Sequence, residues 1–264
     1  MSPILTGFRL NATAPERLAD FFARALGFER TAAGLSLGPS HVVLSQASGA
    51  PYPGDAPGWS PLFQHFAIVT GDMAAAFERL RQASGWTPIT RGGPQALPPS
   101  SGGVTAFKFR DPDGHPLELI APVGASGRPT LRIDHSAVSA GDSARSIAFY
   151  TALGFRLGAR TFNRGPEQER LDGLPGARVE VTALLQDPPG DCHIELLAYQ
   201  GDHDRPQAAA LGDVAATAMM MRAPDAEAFA AIGARLSEHL IEASPAMLLL
   251  RDPDGHLLEI GAGA

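Results

Sequence analysis

Two hydrophobic periodicities alternate along the chain. Phe63-Gln-His-Phe-Ala-Ile-Val69 and Ile133-Asp-His-Ser-Ala-Val138 switch faces at every residue, as half-buried strands do. Asp72 follows the first, and Met73, Phe77 and Leu80 then fall at helical spacing. Asp142 follows the second as the expected helix cap, with Ile147, Phe149, Tyr150 and Leu153 as the buried face of its helix. Several short strands come after each helix, so the unit reads βαβββ. The same unit fits about 4–46 and about 214–264, the latter with a helix near Asp225 to Leu236. The four expected modules are 4–46, 62–122, 131–200 and 214–264.

Internal repeats support this division. Phe109-Arg-Asp-Pro-Asp-Gly-His-Pro-Leu-Glu-Leu-Ile120 returns as Leu250-Arg-Asp-Pro-Asp-Gly-His-Leu-Leu-Glu-Ile-Gly261, and Ala25-Leu-Gly-Phe28 returns as Ala152-Leu-Gly-Phe155. The halves start alike and finish alike. Glycines and a proline in 123–129 mark a linker, giving expected domains 1–122 and 130–264. Asp-Pro-Asp-Gly is turn chemistry, so His115 and His256 are read as turn or strand-start residues before they are read as ligands.

Composition narrows the function classes. A net charge of −7 without a dense Lys/Arg cluster argues against nucleic acid, and no stretch approaches the roughly 18 apolar residues of a membrane span. The opening Met1-Ser-Pro-Ile-Leu-Thr-Gly lacks a basic region leading into an apolar core, so a cytoplasmic protein is expected. The single cysteine, Cys192, excludes an intrachain disulfide framework and any site built from several thiolates. A small molecule is the expected partner, and a homodimer in which modules exchange between chains is left open.

Strand alternation selects the candidate chemistry. His65 and Ala67 share one face of their strand while Phe66 and Ile68 share the other. Glu118 sits between Leu117 and Leu119, and Glu195 between Ile194 and Leu196, in final strands that need a reason to hold a carboxylate. His135 repeats His65 in the third module. His65, Glu118, His135 and Glu195 are therefore the candidate metal ligands.

This module order, the Arg-Asp-Pro-Asp-Gly-His-x-Leu-Glu endings and the first-strand His with last-strand Glu resemble the vicinal oxygen chelate superfamily, which includes glyoxalase I, extradiol dioxygenases and bleomycin-resistance proteins. The resemblance implies an α+β fold of four tandem βαβββ modules, forming two glyoxalase-like domains with curved, cup-shaped mixed sheets. It also implies one divalent metal (Zn, Ni, Co, Mn or Fe) open to two neighbouring substrate oxygens, and a glyoxalase-type lyase or isomerase working through an enediolate, with Glu118 or Glu195 as the catalytic base. A ferrous dioxygenase and a non-enzymatic sequestering protein are the alternatives. Two departures stand out: Phe8 is expected at the first module's His position, where 41–45 offers no Glu, and Ala218 is expected at the fourth's, though Glu259 remains. Pairing consecutive modules leaves one cup with His65 and Glu118 and the other with His135, Glu195 and Glu259. Pairing the second module with the third collects all four candidates.

Overall fold

The computed structural model describes residues 1–124, 132–187, 189–190, 192–203 and 207–263, so most of the expected linker lies outside the described residues. The first module comprises β1 (Ile4–Ala12), α1 (Pro15–Leu26), β2 (Glu29–Thr31), β3 (Gly34–Leu37) and β4 (Ser40–Gln46). The second has β5 (Gln64–Val69), α2 (Met73–Gln82), β6 (Thr87–Pro88), β7 (Gln95–Ala96), β8 (Thr105–Arg110) and β9 (Pro116–Ala121). The third has β10 (Arg132–Ser139), α3 (Ser143–Ala152), β11 (Arg156–Arg164), α4 (Pro166–Asp172), β12 (Arg178–Leu185) and β13 (His193–Tyr199). The fourth has β14 (Ala218–Arg222), α5 (Ala226–Arg235), β15 (Leu240–Ala243), β16 (Met247–Arg251) and β17 (Leu257–Gly261).

Local chemistry sets the element ends. Asp72, Asp142 and Asp225 each accept a backbone N–H of the following helical turn, satisfying donors that a helix start leaves unpaired. Gly27 ends α1 at φ 79°, a left-handed conformation that costs glycine little.

The modules join in two open mixed sheets. One runs β15-β16-β17-β14-β1-β4-β3-β2, uniting the fourth module with the first. The other runs β11-β12-β13-β10-β5-β9-β8-β6, uniting the third with the second. Antiparallel pairing of β5 with β10, and of β1 with β14, makes each seam. The faces turned away from the cups share one core with the helices, where Phe8 stacks on Phe66 at 4.6 Å.

The repeated hexapeptide latches neighbouring modules. Asp111 accepts the backbone N–H groups of Asp113 and His115, and its other oxygen lies 2.8 Å from His115 Nδ1. His115 Nε2 faces the carbonyls of Asn11 and Val214, and Asp113 accepts from the backbone N–H and hydroxyl of Thr13. In the second copy His256 Nε2 faces Ser139 O, while Asp254 accepts from Gly141 N and Ser146 Oγ. Both histidines are buried and serve the turn and the module contact.

One expectation is corrected. Gly7, rather than Phe8, occupies the first module's His position: His65 pairs with Ala137 two residues after His135, and Gly7 pairs with Met220 two residues after Ala218. A one-residue slip in a strand turns a side chain to the other face, and Phe8 accordingly lies in the core. An irregularity between Leu5 and Gly7 shifts the register there. Ala218 stands where expected.

Candidate metal centre

Pairing of the second and third modules lays β9, β5, β10 and β13 side by side, with β5 against β9 and β10 against β13 in parallel. Glu118 stands beside Ala67 and Glu195 beside Ala137, each two residues beyond its module's histidine. All four candidate side chains therefore rise from one face of one sheet, within a single chain. They line a cavity of about 200 Å³.

The contacts are close. His65 Nε2 lies 3.0 Å from Glu118 Oε2, and His135 Nε2 lies 3.6 Å from both Glu118 Oε2 and Glu195 Oε2. Donor atoms of His65, Glu118 and His135 all fall within 4.8 Å of one another. Glu195 stands at the margin and is more open, its side chain 24 % exposed against 7 % for Glu118.

Three further groups escaped the sequence reading. Asp134 Oδ2 is 3.3 Å from His135 Nδ1, and His193 Nε2 is 3.3 Å from Glu195 Oε1. Lys108, opposite Glu118 in the register of β8 and β9, donates to Asp172 Oδ1 at 2.8 Å. The alternation of Thr105–Arg110 could have exposed Lys108, since Phe107 and Phe109 occupy the opposite face.

Electrostatics make this cup a place for positive charge. Burial opposes protonation of His135, but the Glu195 charge and the bonds to Asp134 and Glu118 raise it to about 10. Burial also works against a charged Glu118, yet Lys108 and the two imidazoles hold it well below the usual carboxylate range. Glu195 is lowered despite burial, by His135 and His193, and His65 is lowered chiefly by burial. Two carboxylates converge on a site whose surroundings favour a proton on His135. A divalent cation fits the same charge, and two imidazoles with two carboxylates suit Mn, Fe, Co, Ni or Zn.

Further segments complete the wall of the cavity. Leu97, Ser101 and Gly102 from the Gly/Pro-rich 91–103 segment line the cavity, as do Asn163 and Gln168 from the polar segment 163–169. Trp86 does not cover the cup, because it packs edge-on against Phe107 and Phe109 in the core. Arg145, Arg164 and Arg170 are absent from the lining; Arg170 donates to Gln95 Oε1 at 2.6 Å. Among the described residues, no helix is long and apolar enough to cross a membrane.

A cup of two modules built on the βαβββ plan, the second with one additional short strand and the third with the inserted helix α4, and with His on each first strand and Glu on each last, defines a paired-module class of protein. The chain belongs to the Glyoxalase/Bleomycin resistance protein/Dioxygenase superfamily, whose family model matches residues 5–119 and 132–260. Among solved structures it resembles glyoxalase I from Zea mays, with a TM-score of 0.66 at 18% identity, over 99% of this chain and 92% of that one. A Bacillus subtilis protein with a provisional dioxygenase name matches at a TM-score of 0.62 and 15% identity, over 99% and 85% of the two chains. No curated protein sequence matches.

Proposed function

We propose that the chain is a divalent-metal-dependent lyase or isomerase of glyoxalase type, acting on a small substrate through two vicinal oxygens. The supporting observation is the convergence of His65, Glu118, His135 and Glu195 on one cavity within a single sheet. These four residues would hold the metal, which supplies Lewis acidity toward the substrate oxygens. Asp134 orients His135 by accepting from Nδ1, leaving Nε2 directed at the carboxylates. Glu195 is the base that moves a proton between adjacent carbons: it is the more open carboxylate and lies at the margin of the tight three-donor group. Leu97, Leu171, Val179 and Leu197 give the cavity apolar walls that keep bulk water from the reacting carbons.

The compact His65–Glu118–His135 group also matches the two-histidine, one-carboxylate arrangement of ferrous oxygenases, which supports a dioxygenase as the second reading. The test begins with protein purified without chelators and with elemental mass spectrometry on the native chain, His65→Ala and His135→Ala. Near-stoichiometric metal, lost in both variants, is expected. Loaded protein is then given a hemithioacetal, with thioester formation followed, and a catechol with ferrous iron, with oxygen uptake followed. Turnover of the hemithioacetal without oxygen consumption supports the isomerase, and oxygen uptake with catechol replaces it by the dioxygenase. Native protein that neither contains nor takes up metal sinks both and leaves a sequestering pocket.

A further inference from the structure

One wall of the cup is built for hydrogen bonding, and its bonds are incomplete. Gln168 on α4 is 4 % exposed and lines the cavity, and its Nε2 donates to Asp172 Oδ2 at 2.7 Å. Asp172 is itself held by Lys108 through Oδ1, and this ion pair is nearly inaccessible, with side chains 6 % and 1 % exposed. A carboxylate can accept only from the amide nitrogen, so Asp172 decides which end of the Gln168 amide is which. Oε1 is thereby committed as an acceptor, and it is buried without a partner among the described residues. Asn163 on β11 lines the same cavity, is 9 % exposed, and its Oδ1 is likewise buried without a partner.

A buried acceptor left unsatisfied loses its bonds to water without replacement, so two in one small cavity need a cause. The equivalent backbone positions elsewhere do not demand polarity: Leu249 and Ala183 stand opposite Glu259 and Glu195 where Lys108 stands opposite Glu118. The Lys108–Asp172–Gln168 chain is thus particular to this wall of this cup.

We propose that Gln168, assisted by Asn163, is a specificity-determining residue that accepts a hydrogen bond from a hydroxyl or N–H group that the ligand carries beyond its chelating oxygens. The ligand class is therefore a small molecule with two vicinal oxygens and a neutral donor beyond them. A deoxy analogue leaves the acceptors unpaired and is rejected, as sites built to bond a substrate hydroxyl reject analogues lacking it. This inference rests on the metal reading above only for the ligand's chelating end.

The test uses alkyl hydroxamates, which chelate through two oxygens, with and without a terminal hydroxyl two, three or four carbons from the head. Each is titrated calorimetrically into the zinc-loaded full chain. One hydroxylated length is expected to bind at least about tenfold more tightly than its alkyl counterpart, equivalent to one ordinary hydrogen bond of about 1.4 kcal/mol. Gln168→Met should erase that advantage, read within the variant as the ratio of hydroxylated to alkyl affinity. If Gln168→Met fails to fold by circular dichroism, Asn163→Leu on β11 carries the prediction of a reduced advantage. No preferred hydroxylated length, or a preference that survives Gln168→Met, overturns the proposal. Zinc retention, measured separately, reports on the metal reading alone. Without retention the series is titrated into metal-free protein, where a hydroxyl advantage lost in Gln168→Met still supports the acceptor site and its absence overturns it.

Discussion

The two sheets share one backbone plan and treat the floors of their cups in opposite ways. In the sheet of the second and third modules, Ala67 and Ala137 flank the seam beside Glu118 and Glu195, and both are fully buried. Arg9 and Met220 take the corresponding positions in the sheet of the first and fourth modules. Arg9 grips Glu259 in a two-pronged ion pair at 2.7 and 2.9 Å, so the one remaining carboxylate is neutralised by a side chain. The two cups differ at these floor positions as well as at the histidines: small apolar side chains in one, a bulky cation already paired with the carboxylate in the other.

Breaking the Lys108–Asp172 pair should have the largest effect. Lys108→Met strands a buried carboxylate, and a loss of about 3–5 kcal/mol is expected by urea unfolding, against about 0–1 kcal/mol for removing an exposed ion such as Arg24. Gly7→Ala comes next. A Cβ there would meet the His41 carbonyl oxygen, so overpacking of about 1–3 kcal/mol is expected, and the Gly7 place cannot simply accept a histidine. Asp134→Asn should weaken metal binding about 10–100-fold in a chelator competition, because His135 loses the partner that aims it.

The same centre should show a proton signature. His135 is raised to about 10, so at pH 7 it carries a proton that an incoming metal displaces. Calorimetry in buffers of different ionisation enthalpy should show about one proton released, and apparent affinity should rise about tenfold per pH unit below about 10. The smallest effect belongs to the other cup: Arg9→Met with Glu259→Leu removes both partners, and a change within about 1 kcal/mol is expected, with no loss of bound metal. Metal lost in that double variant would place binding in the wrong cup.

Much was legible from local pattern. The Asp72 and Asp142 caps, the strand faces of His65 and Glu118, and the turn role of Asp-Pro-Asp-Gly all depend on residues a few positions apart. The error at Phe8 arose because alternation cannot announce a register irregularity, and one at Leu5/Gly7 shifts the frame by one residue. Lys108 was passed over because its partner Asp172 is 64 residues away, on the short helix α4.

By itself the sequence determined four βαβββ modules and the side of each strand on which its histidine or glutamate stands. Periodicity and capping are contests between near neighbours in the chain, and those are written in order. Only the tertiary structure decided that β5 pairs with β10 and β1 with β14, and so which histidines meet which carboxylates. Strand edges can join in more than one way, and the choice is made by burying one shared core around Phe8 and Phe66, a gain that no single module contains.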